Sequence, residues 1–191
     1  MSSFSTYLRL GYEHILSLSA LDHILFVIVI MAAYQPKHWL RILIAVSLFT
    51  VGHSLSLILS AYDAVAVDKK LVEFLIPLTI VLTAVFNLSK AGQNAQSNFK
   101  YFLALIFGII HGFGFSSYLG MLMLGDGDTW SALLPFNLGI ELGQLLVVLI
   151  TFVLMLIILV IMRTKARDWN LFVSGIAFGL SLVMCLENWP W

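Results

Sequence analysis

Long runs of hydrophobic residues alternate with short polar stretches along the whole chain. Six such runs cover residues 17–34, 39–61, 71–88, 99–124, 133–162 and 169–189. An α-helix needs about 20 apolar residues to cross a bilayer, and each run is close to this length or longer. The polar stretches between them are too short to hold a soluble domain. The pattern predicts an all-α, polytopic membrane bundle with six transmembrane helices in a single domain, residues 1–191.

A shorter segment precedes the first run. Residues 4–15 alternate apolar and polar side chains at near-helical spacing. An amphipathic helix of this kind lies along a membrane surface with its apolar face in the lipid. The sequence therefore predicts an N-terminal interfacial helix.

The amino-acid composition supports a membrane location and reduces the number of expected binding partners. Of the 191 residues, 61% are hydrophobic and 10% charged, with a mean hydropathy of +1.01. The formal net charge is +0, so nothing global indicates a nucleic-acid partner. The single cysteine, Cys185, cannot form an intramolecular disulfide. The expected partners are the lipid bilayer and a metal ion, with no nucleic acid, and a homo-oligomer is possible.

Basic residues are distributed unevenly between alternate loops. Loops one, three and five hold Lys37, Arg41, Lys90, Lys100, Arg163, Lys165 and Arg167, whereas the opposite side holds only Arg9, Lys69 and Lys70. Lys and Arg accumulate in the cytoplasmic loops of membrane proteins. We therefore expect both termini on the outer, periplasmic side.

Titratable side chains interrupt or border the apolar runs. Seven of them are candidate metal ligands, namely His14, Asp22, His23, His53, Glu73, His111 and Glu141. Such groups are costly in hydrocarbon and usually face a protein interior or a hydrated cavity, where they have a function. We expect several helices to bring them together in the outer half of the membrane. The alternative for each histidine is a single buried hydrogen bond to a neighbouring helix.

Asp22 and His23 are adjacent, so on a helix their side chains point about 100° apart. One of them is then suited to bind an ion directly and the other to orient it, since a ligating histidine commonly needs a carboxylate partner. His14 could add a ligand from outside. The alternative is a pair that only links two helices.

Small residues flank two of the histidines. Gly52 and Ser54 border His53. Gly112 follows His111 directly, and Gly108 lies three residues before it. Small side chains let neighbouring helices approach closely. The sequence therefore predicts close helix packing beside both histidines, with Ser54 as a supporting polar group.

The fifth run has a polar stripe. Asn137, Glu141 and Gln144 are spaced four and three residues apart and share one helix face. The stripe is typical of a hydrated path or of a hydrogen-bonded seam between helices. Glu73 follows Lys69 and Lys70, so it could equally be a solvated surface charge.

The candidate ligands indicate a range of metals and three functions. Imidazoles and carboxylates without thiolates suit divalent nickel, cobalt, zinc or iron. In a metal permease, Asp22, His23 and His53 would capture the ion and His111 with Glu141 would pass it on. A zinc-dependent intramembrane hydrolase and a structural or assembly protein without metal are the alternatives.

Six stretches carry a family resemblance. They cover residues 11–16, 21–26, 49–57, 72–77, 107–115 and 136–144. With these motifs the chain resembles the second branch of the HupE/UreJ family of bacterial membrane proteins. The resemblance implies a six-to-seven-helix inner-membrane protein of a group regarded as nickel permeases, with the seven candidate ligands as metal-handling positions. Seven residues separate His14 from Asp22, where the nickel permeases of this kind have four or five.

Overall fold

The structure, a computed structural model, describes residues 3–17, 20–123 and 129–191. Regular structure in these ranges is helical, so the all-α prediction is confirmed. The helices are α1 (Ser3–Leu16), α2 (Leu21–Ala32), α3 (Trp39–Ala61), α4 (Lys69–Leu88), α5 (Lys90–Gln93), α6 (Phe99–Met123), α7 (Thr129–Leu156) and α8 (Ala166–Glu187). A short turn of 3-10 helix at Pro36–His38 leads into α3, and a π-helical turn at Ile157–Ile161 extends α7.

The described residues contain fewer full membrane spans than the six predicted. Four helices are long and apolar enough to cross a bilayer, namely Pro36–Ala61, Lys69–Leu88, Thr129–Ile161 and Ala166–Glu187. The bent pair Phe4–Leu16 and Leu21–Ala32 adds a fifth if it is one broken span. Phe99–Phe115 is a shorter apolar helix. The six-span count is therefore not confirmed, and the predicted end of the fourth span at residue 124 lies outside the described residues.

The first predicted span differs most from the observed helices. The axes of α1 and α2 differ by 67°, and α2 is only 12 residues long. A hydropathy pattern counts apolar residues but does not report where a helix changes direction. The run at residues 17–34 is predicted to be one membrane span, but the helix it contains, α2, is too short to be one by itself. A span of sufficient length arises only when α2 is taken together with α1, the segment predicted to be the interfacial helix.

Glycines join α1 to α7. A Cβ at Gly11 would overlap the backbone carbonyl of Phe136, and one at Gly139 would overlap the carbonyl of Leu8. Backbones can approach this closely only where both surfaces lack side chains. The segment predicted to be an interfacial helix thus has one face packed along α7.

Glycines also join α3 to α6, which confirms the predicted close packing beside His53 and His111. Gly52 lies against the carbonyl of Leu105, and Gly108 lies against the carbonyl of Phe49. Gly112 contacts the backbone of His53. This pairing fixes the two histidines relative to each other across the α3–α6 interface.

A buried polar network attaches α2 and α8 to α4. The Asn87 amide donates a 2.6 Å hydrogen bond to the backbone oxygen of Val29, near the end of α2. Asn170 in α8 donates to the backbone oxygen of Asn87 at 2.9 Å, and the hydroxyl of Ser174 donates to the Asn170 side chain. These bonds satisfy polar groups inside an apolar bundle and hold α2 in place.

Candidate metal centre

Four histidines from four helices meet inside the bundle. His14 lies in the last turn of α1, His23 in the first turn of α2, His53 in α3 and His111 in α6. The ring centroid of His23 lies 4.9 Å from that of His14, 5.5 Å from that of His53 and 5.1 Å from that of His111. His23 is therefore the centre of the cluster.

The ligand atoms of these residues form two overlapping sets. One set consists of His14, His23 and His53, and the other of Asp22, His23 and His111. Within each set, one potential ligand atom per residue lies within 4.8 Å of the others. Three nitrogen or oxygen ligands around one point are enough to hold a divalent transition-metal ion.

The ring nitrogens have the hydrogen-bonding state expected of ligands. In the part of the chain that the structure describes, Nε2 of His14, Nε2 of His23, both nitrogens of His53 and Nδ1 of His111 are buried without a hydrogen-bond partner. A buried polar atom left unpaired costs about 1–3 kcal/mol. Histidines that only link helices would have used these atoms. The arrangement therefore fits a metal ion, which would accept a lone pair from each ring.

The position of Asp22 explains how it serves the cluster. Its Oδ1 accepts hydrogen bonds from the backbone N–H of His23 at 2.8 Å and from Nδ1 of the same residue at 2.9 Å. A proton on Nδ1 leaves the lone pair on Nε2, so Nε2 is the nitrogen of His23 that could bind an ion. A carboxylate that orients a ligating histidine in this way is a common feature of metal sites.

A cavity of about 220 Å³ leads to the cluster from one end of the bundle. It is lined by His14, Ala20, Asp22, His23, Glu73, Ile76, His111, Gly114 and Phe115. The side chain of Glu73 is 45% exposed and lies 3.6 Å from Lys69 Nζ. Glu73 is thus both a solvated charge and part of the cavity wall.

Aromatic rings close the cluster on its other side. The rings of Phe26 and Phe49 lie 4.6 Å apart, and each lies within 5.2 Å of the His111 ring. Both are almost completely buried. Because hydrocarbon offers an ion no ligands, this apolar floor separates the cavity from the opposite end of the bundle.

Two side chains of the polar stripe of α7 are hydrogen-bonded to α3. Ser47 donates a 2.6 Å hydrogen bond to Glu141, and Thr50 donates a 2.7 Å bond to Gln144. The Asn137 amide donates to the Leu133 carbonyl, and the Ser54 hydroxyl donates to the Thr50 carbonyl. Glu141 and Gln144 thus form a seam between α3 and α7, which is the alternative that the sequence left open. Glu141 is not among the residues grouped around His23.

Sequence reasoning missed Thr79, Phe26 and Phe49. The hydroxyl of Thr79 lies 2.9 Å from Nε2 of His111. Its only signal in the sequence is a hydroxyl within the apolar run of α4, which it shares with Thr83. The two phenylalanines lie in apolar runs rich in similar residues, so no local pattern distinguishes them.

The chain was also compared with known proteins. A family model described as HupE / UreJ protein matches residues 1–189. No curated protein and no solved structure matches. The family match spans both ligand sets, the cavity wall and the apolar floor.

Proposed function

Since the chain belongs to the HupE/UreJ family, we propose that it is an inner-membrane permease for a divalent transition-metal ion, nickel or cobalt first. The family is associated with nickel and cobalt transport. The observation that carries the proposal is the cluster of four buried imidazoles whose ring nitrogens are unpartnered among the described residues. The transported ion is the substrate of this site.

Capture begins at the cavity. Glu73 on its wall and Asp22 at its base give it negative charge, which raises the local concentration of cations. The ion is then bound by Asp22, His23 and His111 or by His14, His23 and His53. Because His23 belongs to both sets, an ion can pass from one to the other without losing all of its protein ligands.

The helix ends beside the site support a transport role. His14 lies at the C-terminal end of α1 and Asp22 at the N-terminal end of α2, with a 67° bend between the two helices. Interrupted helices whose ends meet at a substrate site are common in transporters. The C-terminal end of a helix carries partial negative charge, which favours a cation next to His14.

Release follows from the chemistry of the ligands. An imidazole binds a metal only when it is neutral, so protons compete with the ion. Proton uptake by the cluster lowers its affinity, and displacement of the Phe26–Phe49 floor opens the path to the cytoplasm. In the orientation that the basic loops favour, the cavity faces the periplasm and both termini lie on that side.

Transport by purified protein tests the proposal. Proteoliposomes with the full chain take up Ni²⁺ or Co²⁺, and His23→Ala and His111→Ala abolish uptake while the protein still inserts. His38→Ala is the matched control, because His38 lies in the turn before α3 and accepts a hydrogen bond from the backbone of Gln35. Uptake that survives both cluster substitutions overturns the proposal. A purified protein that retains one non-exchangeable ion and transports none also overturns it.

A further inference from the structure

We propose that Thr79 is a positioning residue for the metal centre: its hydroxyl fixes the tautomer and orientation of His111, so that Nδ1 binds the ion. The inference rests on the proposed function of the cluster and adds a residue from α4. Thr79 does not touch the ion itself.

The direction of two hydrogen bonds carries the argument. Oγ1 of Thr79 lies 2.7 Å from the backbone oxygen of Ile76 and 2.9 Å from Nε2 of His111. A hydroxyl has one hydrogen and a carbonyl oxygen can only accept. The Thr79 hydrogen therefore points at Ile76, and its oxygen must accept a hydrogen from Nε2. His111 is then the tautomer with Nε2 protonated.

The other nitrogen of the ring is left for the ion. Nδ1 of His111 is buried and has no hydrogen-bond partner among the residues that the structure describes. His111 is 0% exposed and Thr79 is 3% exposed, so bulk water does not compete for either group. Because Nε2 is occupied by Thr79, Nδ1 is the atom that His111 contributes to the set with Asp22 and His23.

His111 and His23 are thus oriented in opposite ways. Asp22 holds Nδ1 of His23 and leaves Nε2, whereas Thr79 holds Nε2 of His111 and leaves Nδ1. A carboxylate partner increases the basicity of a ligating histidine, whereas a neutral hydroxyl adds no charge. These hydrogen bonds make His23 the stronger ligand and His111 the weaker one. A weaker ligand releases an ion more readily, so His111 is suited to the release step.

Three variants separate positioning from packing. Thr79→Val keeps the shape of the side chain and removes the hydroxyl, whereas Thr79→Ser keeps the hydroxyl. Thr83→Val is the matched control, because Thr83 is a buried threonine one turn further along α4 whose hydroxyl donates to the Thr79 carbonyl. Each full-length protein is purified and titrated with Co²⁺, whose visible absorption reports the ligands.

Loss of a residue that orients a metal ligand weakens binding about 10–100-fold, so this is the effect expected for Thr79→Val. Thr79→Ser keeps the hydroxyl and Thr83→Val leaves Thr79 in place, so both should bind Co²⁺ at least about tenfold more tightly than Thr79→Val. The Co²⁺ absorption of Thr79→Val should also change in shape, since the ring of His111 turns.

The tautomer is measured directly in metal-free protein labelled with ¹⁵N-histidine, with His111→Gln to assign the signal. The unchanged protein should show His111 protonated at Nε2, and Thr79→Val should show a mixture.

Equal affinity of Thr79→Val and the unchanged protein overturns the inference, as does an equal loss in Thr83→Val or a failure of Thr79→Ser to bind. A His111 ring protonated at Nδ1 in the unchanged protein overturns it even if Thr79→Val fails to fold. If the unchanged protein binds no Co²⁺, the proposed function fails, and the tautomer measurement still decides the role of Thr79.

Discussion

Gly108 of α6 lies directly against the backbone carbonyl of Phe49 in α3, with no space between them for a side chain. A methyl group there would overlap backbone atoms, which cannot rotate away. The contact lies one helical turn from His111, so the fit of two helix backbones and the assembly of the histidine cluster are one structural feature.

Gly108→Ala should therefore destabilise the protein by about 1–3 kcal/mol, the usual cost of overpacking a core. It should also weaken Co²⁺ binding, because α3 must move away from α6. Thermal unfolding in detergent and a Co²⁺ titration measure the two effects.

Gly179→Ala is the control for that substitution, because a Cβ at Gly179 has nothing within 4 Å. It should leave Co²⁺ binding unchanged and stability unchanged or slightly higher, since alanine favours helix over glycine by up to about 1 kcal/mol. Equal behaviour of the two variants would contradict the role assigned to the α3–α6 contact.

His53 should be a residue whose loss improves stability. Both of its ring nitrogens are buried without a partner in the described part of the chain, which costs about 1–3 kcal/mol for each unpaired group. His53→Leu should raise the unfolding temperature of the metal-free protein. It should also reduce the stabilisation by Co²⁺, which is about 2.7 kcal/mol at 100 times the dissociation constant, because only the set of Asp22, His23 and His111 remains.

The opposite result has a clear meaning. If His53→Leu lowers the unfolding temperature without metal and keeps the Co²⁺ shift, then His53 is a packing residue rather than a ligand. Differential scanning fluorimetry with and without Co²⁺ is sufficient to decide.

Asp22 should support binding in two ways, as a ligand and through its hydrogen bond to His23. Asp22→Ala removes the acceptor of the Nδ1 hydrogen bond, so we expect Co²⁺ affinity to fall about 10–100-fold. Asp22→Asn keeps an oxygen that can accept this bond and should lose less. Isothermal titration calorimetry compares the two, and an equally large loss in both variants would make the negative charge of Asp22, rather than its hydrogen bond, the decisive property.

Glu141 should be dispensable for equilibrium binding. Its carboxylate accepts a hydrogen bond from Ser47 in the seam between α3 and α7, and it belongs to neither ligand set. Glu141→Gln retains an acceptor for Ser47 and should bind Co²⁺ within about twofold of the unchanged protein, the effect of a change outside the site. A loss of affinity comparable to that of His53→Leu would return Glu141 to the metal centre.

The amino-acid sequence by itself determined the class of the protein and the composition of its site. Runs of apolar residues can bury their backbone in lipid only as helices, so the all-α membrane bundle follows from hydropathy. The cost of a titratable group in hydrocarbon singled out seven candidates, and five of them, His14, Asp22, His23, His53 and His111, fall in the two groups of possible ligands. The other two, Glu73 and Glu141, do not. Glycines beside His53 and His111 indicated close packing, because they remove the side chains that keep helices apart.

Only the tertiary structure decided which of these groups meet and what each one does. The bend between α1 and α2 brings His14 next to His23, and no local pattern in the sequence reports that angle. Glu141 and Asp22 are both acids within apolar runs, yet Glu141 accepts a hydrogen bond from Ser47 and Asp22 accepts one from the ring of His23. Thr79 and Thr83 have similar surroundings in the sequence. Only the packing of α4 on α6 places Thr79, and not Thr83, within hydrogen-bond distance of His111. Hydropathy depends on each residue alone, whereas coordination depends on distances between helices that are far apart in the chain.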